Sequence, residues 1–413
     1  MIWADLHIHG KYSRGCSKNS SFFTLSESAK IKGLKLLGTG DFTHPLWLDE
    51  FKKKQIEGEI VQGNVKFVFQ TEVNLVYVDE KIPRKVHLIV LSPYSKVKEI
   101  AEFLGKKTNL NSDGRPTIAN YSCAEFVEDM LQLDDKIEII PAHVWTPWFG
   151  IFGSKSGYNS LKEAFQDKSN KIHAIETGLS SDPLMNWRIK ELQEKTILSF
   201  SDSHSYWPWR IGREATCFRL KEEFEYQDII KAIRHNYVEK TLEVDPSYGK
   251  YHYDGHRKCG ISLSSKESIK LNNICPVCNK PLTLGVEHRV EELSDFSEDQ
   301  VLNMDFFSKK PYVKALPLAE LIATTINKPL ENKDVKQKYF ELVSSFGSEF
   351  EVLFSVPIEE IRKKFSNPLF LNLLILNRKS SIPVIPGYDG VYGRIDIEKI
   401  KKMLQGSLSS FIS

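Results

Sequence analysis

The chain has 413 residues, 41% of them hydrophobic, and a formal net charge of +2 at pH 7. Its length predicts two or three domains, and its apolar content excludes a disordered chain. The small net charge excludes a uniformly basic nucleic-acid binder, so any DNA-binding surface must be local. The first residues lack a signal-peptide pattern, and no apolar run reaches the ~18 residues of a membrane span. We therefore expect a cytoplasmic protein without a membrane partner.

Residues 1–245 are predicted to form an α/β domain, because short β-like runs alternate with helix-like runs. The predicted strands are IWADLHI, LKLLGTG, VKFVFQTEV, KVHLIVL, KIEIIPA, KIHAIET and TILSFSD. Helices are predicted from Thr24, with a capping box on Glu27, and over about 96–105, 122–133, 160–167 and 184–195. Repeated βα units predict a parallel sheet covered by helices, here a closed or nearly closed βα barrel.

The stretch ADLHIHG near the N-terminus places Asp5, His7 and His9 on one face of the first predicted strand. Nearly every later strand also ends in His, Asp or Glu, and in a βα barrel these ends converge on the active-site face. Imidazole and carboxylate ligands suit Zn, Mn or Fe in a hydrolytic site. The strand-end residues are His7, His9, Asp41, Glu72, His87, His143, Glu176, Asp202 and His204. His173 and His235 are more simply explained as structural histidines, and His44 fits either explanation.

Residues 246–290 contain a second cluster of metal-ligand residues. His256-x2-Cys259 and Cys275-x2-Cys278, fifteen residues apart, have the spacing of a structural zinc site. We favour His256 as the fourth ligand, with His288 as the alternative. Seven Lys and Arg against three acidic residues, with tyrosines nearby, fit either a nucleic-acid surface or an ordinary solvated face. The remaining residues, 291–413, are predicted to form a mostly helical C-terminal domain.

The stretches DLHIH, GTGDF, a lone TE, PAHVW and SDSH, in this order, resemble the PHP superfamily of metal-dependent phosphoesterases. The resemblance implies a distorted βα barrel with Glu72, His143 and Asp202 as catalytic residues. It also implies three metal sites: one held by His7, His9 and Asp202, a second by His87 and His143 with Glu72 bridging, and a third that includes His204. This chain has Phe42 where family members often carry histidine, so the third ion is weakly held, absent or bound by Asp41.

The whole chain resembles the endonuclease Q family, in which a PHP domain precedes a zinc module and a helical domain. Further matching stretches are IETGLSSDPLMNWR, GREAT, GKYHYDGHRKCG, GVEHRVEEL and PGYDGVYGRI. The resemblance implies nicking of DNA on the 5′ side of deaminated bases (uracil, hypoxanthine, xanthine) and abasic sites. It also implies two or three divalent ions (Zn, Mn or Mg), one structural Zn, and a replication clamp as a further candidate partner.

Two alternative functions are disfavoured. A small-molecule phosphatase of the histidinol-phosphate kind has no need of the added domains, and a non-catalytic nucleic-acid binder has no need of the ligand set.

Candidate DNA contacts are Arg188, Arg210, Arg213 and Tyr388. Arg213 follows SDSH and suits a phosphate, and the alternative is an ion pair with Glu214 or Glu222. Tyr388 lies in PGYDGVYGR, whose glycines and tyrosines predict either a pocket for a flipped base or a glycine-rich surface turn.

Overall fold

The structure is a computed structural model that describes residues 1–409, with side chains through residue 403. Residues 410–413, the end of the predicted C-terminal domain, lie outside the described residues. In chain order the strands are β1 (Ile2–Asp5), β2 (Leu36–Gly38), β3 (Ile56–Glu57), β4 (Ile60–Val61), β5 (Lys66–Asp79), β6 (Ile82–Ser92), β7 (Thr117–Ala119), β8 (Glu138–Pro141), β9 (Ala174–Glu176), β10 (Thr196–Leu198), β11 (Ala215–Phe218), β12 (Val238–Glu243), β13 (Asp254–His256), β14 (Ile261–Leu263), β15 (Tyr312–Lys314), β16 (Val384–Ile385) and β17 (Arg394–Ile395).

The helices are α1 (Phe22–Lys32), α2 (Pro45–Lys52), α3 (Tyr94–Gly105), α4 (Cys123–Leu133), α5 (Leu161–Phe165), α6 (Pro183–Trp187), α7 (Tyr226–Arg234), α8 (Ser265–Lys270), α9 (Val286–Leu293), α10 (Glu298–Asn303), α11 (Leu318–Ile326), α12 (Lys333–Phe346), α13 (Ile358–Lys364), α14 (Pro368–Arg378) and α15 (Ile397–Ser409). The predicted helix over 184–195 is divided into α6 and a 3₁₀ turn, Lys190–Glu194. No helix in the described part of the chain is long and apolar enough to span a membrane.

Eleven of the strands in the described part of the chain form one large sheet. β1 pairs in parallel with β2, and β2 in parallel with β5, so the ends of these strands point the same way. β6 and β8 extend the sheet beyond β5, and β9 and β10 form a separate parallel pair. The backbone N–H of His9 donates to Ser203 O at 2.9 Å, which brings the segment after β10 beside the segment after β1. The strand ends that carry the predicted site residues are therefore gathered together.

The α/β class is confirmed, but the expected parallel sheet is mixed, because the pairs β5–β6, β6–β8, β1–β11 and β11–β12 are antiparallel. β5 and β6 form an antiparallel hairpin of eleven residue pairs, and β6 pairs antiparallel with β8. The hairpin turn consists of Glu80 and Lys81, both at positive φ. Such turns usually contain Asn or Gly, so this one carries no turn signal in the sequence.

The start of α1 also differs from the prediction. The helix begins at Phe22 with Ser21 as its N-cap, and Thr24 is the third helical residue. Ser21 Oγ accepts from Thr24 N at 3.2 Å, and Thr24 Oγ1 accepts from Ser21 N at 2.9 Å. The hydroxyl of Thr24 therefore takes the part that glutamate plays in the usual capping box.

The C-terminal residues pack firmly on the N-terminal sheet. β15 pairs in parallel with β12, at the edge of the large sheet. Lys32 Nζ of α1 lies 2.9 Å from Glu349 Oε1, and both side chains are fully buried. Glu349 also accepts from Leu318 N at 2.9 Å and from Tyr339 OH at 2.6 Å. The three-domain division stays a prediction, but the contacts across its boundaries are buried and specific.

Candidate active site

The structure brings most of the predicted metal ligands together in three overlapping groups. His7 and His9 follow β1, Glu72 and His87 lie within β5 and β6, His143 follows β8, and Asp202 and His204 follow β10. The groups are His7, His9 and Glu72; Glu72, His87 and His143; and His9, Asp202 and His204. Within each group the ligand atoms lie within 4.8 Å of one another.

Glu72 lies at the centre of this cluster. Its Oε1 is 2.7 Å from His87 Nδ1 and 3.1 Å from His143 Nε2, and its Oε2 is 3.5 Å from His9 Nε2. Burial raises the pKa of this carboxyl, but the charge of His87 and the hydrogen bonds from the histidines hold it well below its usual range. Glu72 is therefore an ionised carboxylate with one oxygen toward each of two histidine groups, as a bridging ligand requires.

Asp202 and His204 lie on the other side of His9. Asp202 Oδ1 is 3.0 Å from His9 Nε2 and 3.6 Å from His204 Nδ1, and the His9 and His204 rings are 4.4 Å apart. Burial raises the pKa of the Asp202 carboxyl, but His7 and His9 lower it below its usual value. Asp202 and His143 both have positive φ, a strained conformation that is typical of functional sites.

The cluster fits divalent metal ions. Nε2 of His7 is buried and, among the described residues, has no hydrogen-bond partner, although Glu72 Oε1 and Asp202 Oδ1 lie 3.5 and 3.6 Å from it. Buried polar atoms in native proteins almost always have a partner, so this nitrogen indicates a ligand held between the three side chains. Imidazole together with carboxylate is a donor set that suits Zn or Mn.

Asp41 and Glu176 lie behind the histidines. Asp41 Oδ1 is 3.2 Å from His9 Nδ1, and its Oδ2 accepts from Gly10 N at 2.9 Å. Asp41 was predicted as a substitute ligand, but the structure places it where it orients His9. Glu176 Oε1 is 2.9 Å from His7 Nδ1, and its Oε2 accepts from His143 N at 2.6 Å. Carboxylates in this position set the tautomer and the angle of a metal-binding histidine.

Replacing Glu176 with Gln is expected to weaken metal binding about 10- to 100-fold, the usual cost of losing a carboxylate behind a histidine ligand. Titration of metal-free protein with Zn²⁺ or Mn²⁺ measures this directly. Glu138→Gln is the matched control, because Glu138 is equally buried and holds His173 at 2.9 Å, outside the cluster. Equal metal affinity in wild type and Glu176→Gln would contradict the orienting role.

Asp5 does not join His7 and His9. Its carboxylate accepts from Ser201 N at 3.0 Å, from Ser201 Oγ at 2.5 Å and from Gly212 N at 2.8 Å. Burial raises the pKa of Asp5 to about 6 against the effect of these hydrogen bonds. Asp5 therefore holds the loop that carries Asp202. His44 also stands apart from the ligand groups, and its ring stacks on Tyr12 at 4.2 Å.

The cysteine cluster contains His256, Cys259, Cys275 and Cys278, whose ligand atoms again lie within 4.8 Å of one another. His256 Nδ1 is 3.2 Å from Cys278 Sγ. Burial raises the pKa of Cys275, but backbone N–H groups of Cys278 and Val277 lower it to about 6, which favours a thiolate. His288 is turned away, with Nδ1 2.7 Å from Asp254 Oδ2. This geometry supports His256 as the fourth ligand.

A cavity of about 490 Å³ opens beside the active-site cluster. His143 and Asp202 belong to its lining, so the cavity and the cluster share a wall. The other lining residues that bear on function are aromatic or cationic: Trp148, Phe149, Tyr248, Tyr251, Tyr392, Arg210 and Arg213. The volume falls within the range of small-molecule sites, about 300–1,000 Å³.

Comparisons with known proteins agree with this geometry. The chain is similar over 95% of its length to the crystal structure of the lesion-specific endonuclease PfuEndoQ from Pyrococcus furiosus, with 35% identity, a TM-score of 0.84 and 94% of that chain covered. The chain belongs to the endonuclease Q family. The predicted enzyme class, a metal-dependent endodeoxyribonuclease, is confirmed with it.

A second structure, endonuclease Q in complex with a 27-mer duplex substrate with an abasic lesion at the active site, is 35% identical. It has a TM-score of 0.83, with 95% of this chain and 96% of that chain covered. The protein YqxK of Bacillus subtilis is 27% identical over 95% of this chain and 99% of its own length. The protein MJ0043 of Methanocaldococcus jannaschii is 35% identical over 62% of this chain. The match covers about a third (32%) of the length of that relative. The family model of the MJ0043 C-terminal domain matches residues 317–367.

Two of the four predicted DNA contacts, Arg210 and Arg213, line the cavity. Arg213 does not pair with Glu214 or Glu222; its Nε and Nη2 donate to Ser201 O at 3.1 and 2.9 Å, beside Asp202. Arg210 also lines the cavity, 3.9 Å from Glu320. The structure corrects the prediction that Arg188 contacts DNA. Its side chain is buried and donates to Phe296 O at 3.0 Å and to Glu291 Oε2 at 2.6 Å. It therefore joins α6 to the segment around α9 and has no face for a phosphate.

The structure also corrects the prediction that Tyr388 contacts a flipped base. Its ring packs against Gly255, and it is not part of the cavity lining, whereas Tyr392 of the same loop is. The glycines of this loop serve close contact with protein backbone: Gly387 N donates to Ser247 O at 2.8 Å and Gly393 N to Tyr248 O at 3.1 Å. The loop thus completes one wall of the cavity, and only Tyr392 of its two tyrosines reaches it.

Proposed function

We propose that this protein nicks DNA on the 5′ side of deaminated bases (uracil, hypoxanthine, xanthine) and of abasic sites. The observation that carries the proposal is the shared wall between the carboxylate–imidazole cluster and a nucleotide-sized cavity. The similarity to a lesion-specific endonuclease, and to an endonuclease Q holding a duplex with an abasic lesion, supports the same substrate class.

The cluster would hold two or three divalent ions. His7, His9 and Asp202 are assigned to one ion and His87 and His143 to a second, with Glu72 between them, and His204 to a third. Bound ions supply Lewis-acid charge to the phosphate and activate a water molecule for attack. We assign the N-terminal sheet to the distorted barrel of the PHP superfamily and the cysteine cluster to a structural zinc.

Hydrolysis would proceed by attack of water on the phosphate on the 5′ side of the lesion. A water oxygen forms a bond to phosphorus, the P–O3′ bond breaks, and the leaving O3′ takes up a proton. The products are a 3′-hydroxyl and a 5′-phosphate on the lesion nucleotide. Asp202 and Glu72 remain ionised, because the histidines around them lower their pKa values. Arg213 is held by Ser201 O close to Asp202 and lines the cavity, where it would meet an incoming phosphate.

The aromatic wall of the cavity suits a base taken out of the duplex. The ring of Trp148 lies 5.5 Å from that of Tyr251, and 40% of the Trp148 surface is exposed. Flipping a nucleotide costs a few kcal/mol, and less for a damaged or mispaired base, so part of the selectivity comes from the DNA. The replication clamp stays a prediction.

End-labelled duplexes with a single uracil or hypoxanthine test the proposal. We expect one cut on the 5′ side of the lesion, with 3′-hydroxyl and 5′-phosphate ends, and little cutting of the undamaged duplex. Release of free uracil would instead indicate a glycosylase. Equal cutting of damaged and undamaged duplexes would remove lesion specificity.

Trp148→Ala and Tyr392→Ala are expected to lower kcat/KM on the uracil duplex. Loss of one aromatic–base stack costs about 1–3 kcal/mol, which corresponds to about 5- to 150-fold. Tyr388→Ala is the matched control from the same loop, and its kcat/KM should stay near that of wild type because its ring packs on Gly255. The reverse order of effects would restore Tyr388 as the base contact.

A further inference from the structure

Arg115 lies over the centre of the metal cluster, although nothing in the sequence pattern marked it. It belongs to the loop between α3 and β7, and its Nη1 donates to Glu72 Oε2 at 3.0 Å. Its side chain is 24% exposed, whereas that of Glu72 is fully buried. Among the ion pairs of the described residues, this is the one that joins a Lys or Arg to a predicted metal ligand.

Contacts with the segment after His9 fix the backbone of this loop and therefore the position of Arg115. Gly114 N donates to Tyr12 O at 3.2 Å, and a Cβ on Gly114 would collide with Ser13 Oγ. Asp113 Oδ1 accepts from Arg14 N at 3.2 Å and from Arg115 N at 3.1 Å. The turn after His9 and the loop before β7 therefore hold each other.

Most N–H donors of the Arg115 guanidinium have no partner among the described residues. An arginine guanidinium does not lose its proton in a protein, so Arg115 is always cationic. Of its five N–H groups, one donates to Glu72, and the others have no partner in the described part of the chain. Glu72 offsets one positive charge, but two or three divalent ions beside a fixed cation favour a further anion between them. A phosphodiester at the cluster is such an anion, and it gains further negative charge during hydrolysis.

We propose that Arg115 is a catalytic residue that donates to a non-bridging oxygen of the scissile phosphate. This inference rests on the proposed function. The competing role is that of a counter-ion for Glu72, in which Arg115 acts on the ligand and never on the DNA. The two roles differ in metal-free protein, where only the phosphate contact affects DNA binding.

The experiment compares wild type, Arg115→Ala and Arg115→Lys, with Arg219→Ala as control. Arg219 also forms an Arg–Glu pair, with Glu239 at 2.6 Å, but it directly follows β11, whose last residue, Phe218, pairs with Ile2 at the start of β1, the end of that strand away from the site. Binding of the uracil duplex is measured over a range of salt in protein dialysed until elemental analysis counts only the one zinc of the cysteine cluster. Metal affinity, kcat and KM are measured separately.

For Arg115→Ala we expect weaker DNA binding without metal in the Glu72 cluster, a salt slope reduced by about one, and a kcat about 10²–10³-fold lower, the usual cost of one transition-state donor. Arg115→Lys should keep the salt slope but recover only part of kcat, because lysine lacks the guanidinium fork. Arg219→Ala should match wild type.

Unchanged DNA binding without metal in the Glu72 cluster, together with altered metal affinity, would assign Arg115 the counter-ion role and overturn the inference. Arg115→Lys keeps the test valid if Arg115→Ala fails to fold. Failure of the wild-type protein to nick the uracil duplex would contradict the proposed function. If wild type nicks the duplex and Arg115→Ala nicks it at the same rate, only this inference is contradicted.

Discussion

Replacing Asp202 with Asn is expected to abolish cleavage of lesion-bearing DNA and to leave DNA binding largely intact. Even carboxylates behind a histidine ligand are worth about 10- to 100-fold, so loss of a ligand charge should cost more than about 100-fold in cleavage rate. Binding should survive because contacts to backbone phosphates supply most of the affinity of such proteins. Nicking and gel-shift assays on one uracil duplex measure both quantities.

His143→Ala should behave in the same way, because His143 Nε2 lies 3.1 Å from Glu72 Oε1 in the second ligand group. Asp299→Asn is the control for removal of one carboxylate, since Asp299 is exposed in the first turn of α10. Cleavage by Asp202→Asn at nearly the wild-type rate would contradict the assignment of this cluster.

Cys275→Ser should remove one zinc per chain and lower Tm strongly. Structural zinc sites bind with about 10–16 kcal/mol at pH 7, and this energy stabilises the fold because the site does not exist in the unfolded chain. Elemental analysis counts the zinc, and thermal unfolding gives Tm. The ligands of the Glu72 cluster should be unaffected. A variant that kept both its zinc count and its Tm would show that the cysteine cluster is not a zinc site.

Cys217→Ala is the matched control, because Cys217 is buried in β11, away from the cluster. It should lose some stability but no zinc. His256→Ala and His288→Ala separate the two candidates for the fourth ligand. The contacts predict that only His256→Ala releases zinc, whereas His288→Ala destabilises the protein through loss of its 2.7 Å contact with Asp254.

Local spacing in the sequence is enough to predict part of the site. His7 and His9 around one apolar residue, SDSH after a strand, and two x2 knuckles each specify ligand types within a few residues. Such patterns need only the direction of a strand or the geometry of a turn. The structure gathers these residues as expected, with His256 rather than His288 beside the cysteines.

The residues that contact these ligands from behind or from above come from distant parts of the chain. Glu176 is 169 residues from His7, and Arg115 is 43 residues from Glu72, and no periodicity connects either pair. The turn at Glu80 and Lys81 reverses β5 without a turn signal, and it places His87 beside Glu72. The sequence also could not separate Tyr392 from Tyr388, because the side on which each ring lies depends on how the loop docks against residues 247–257. Contacts of this kind arise from packing between distant segments, which local patterns do not encode.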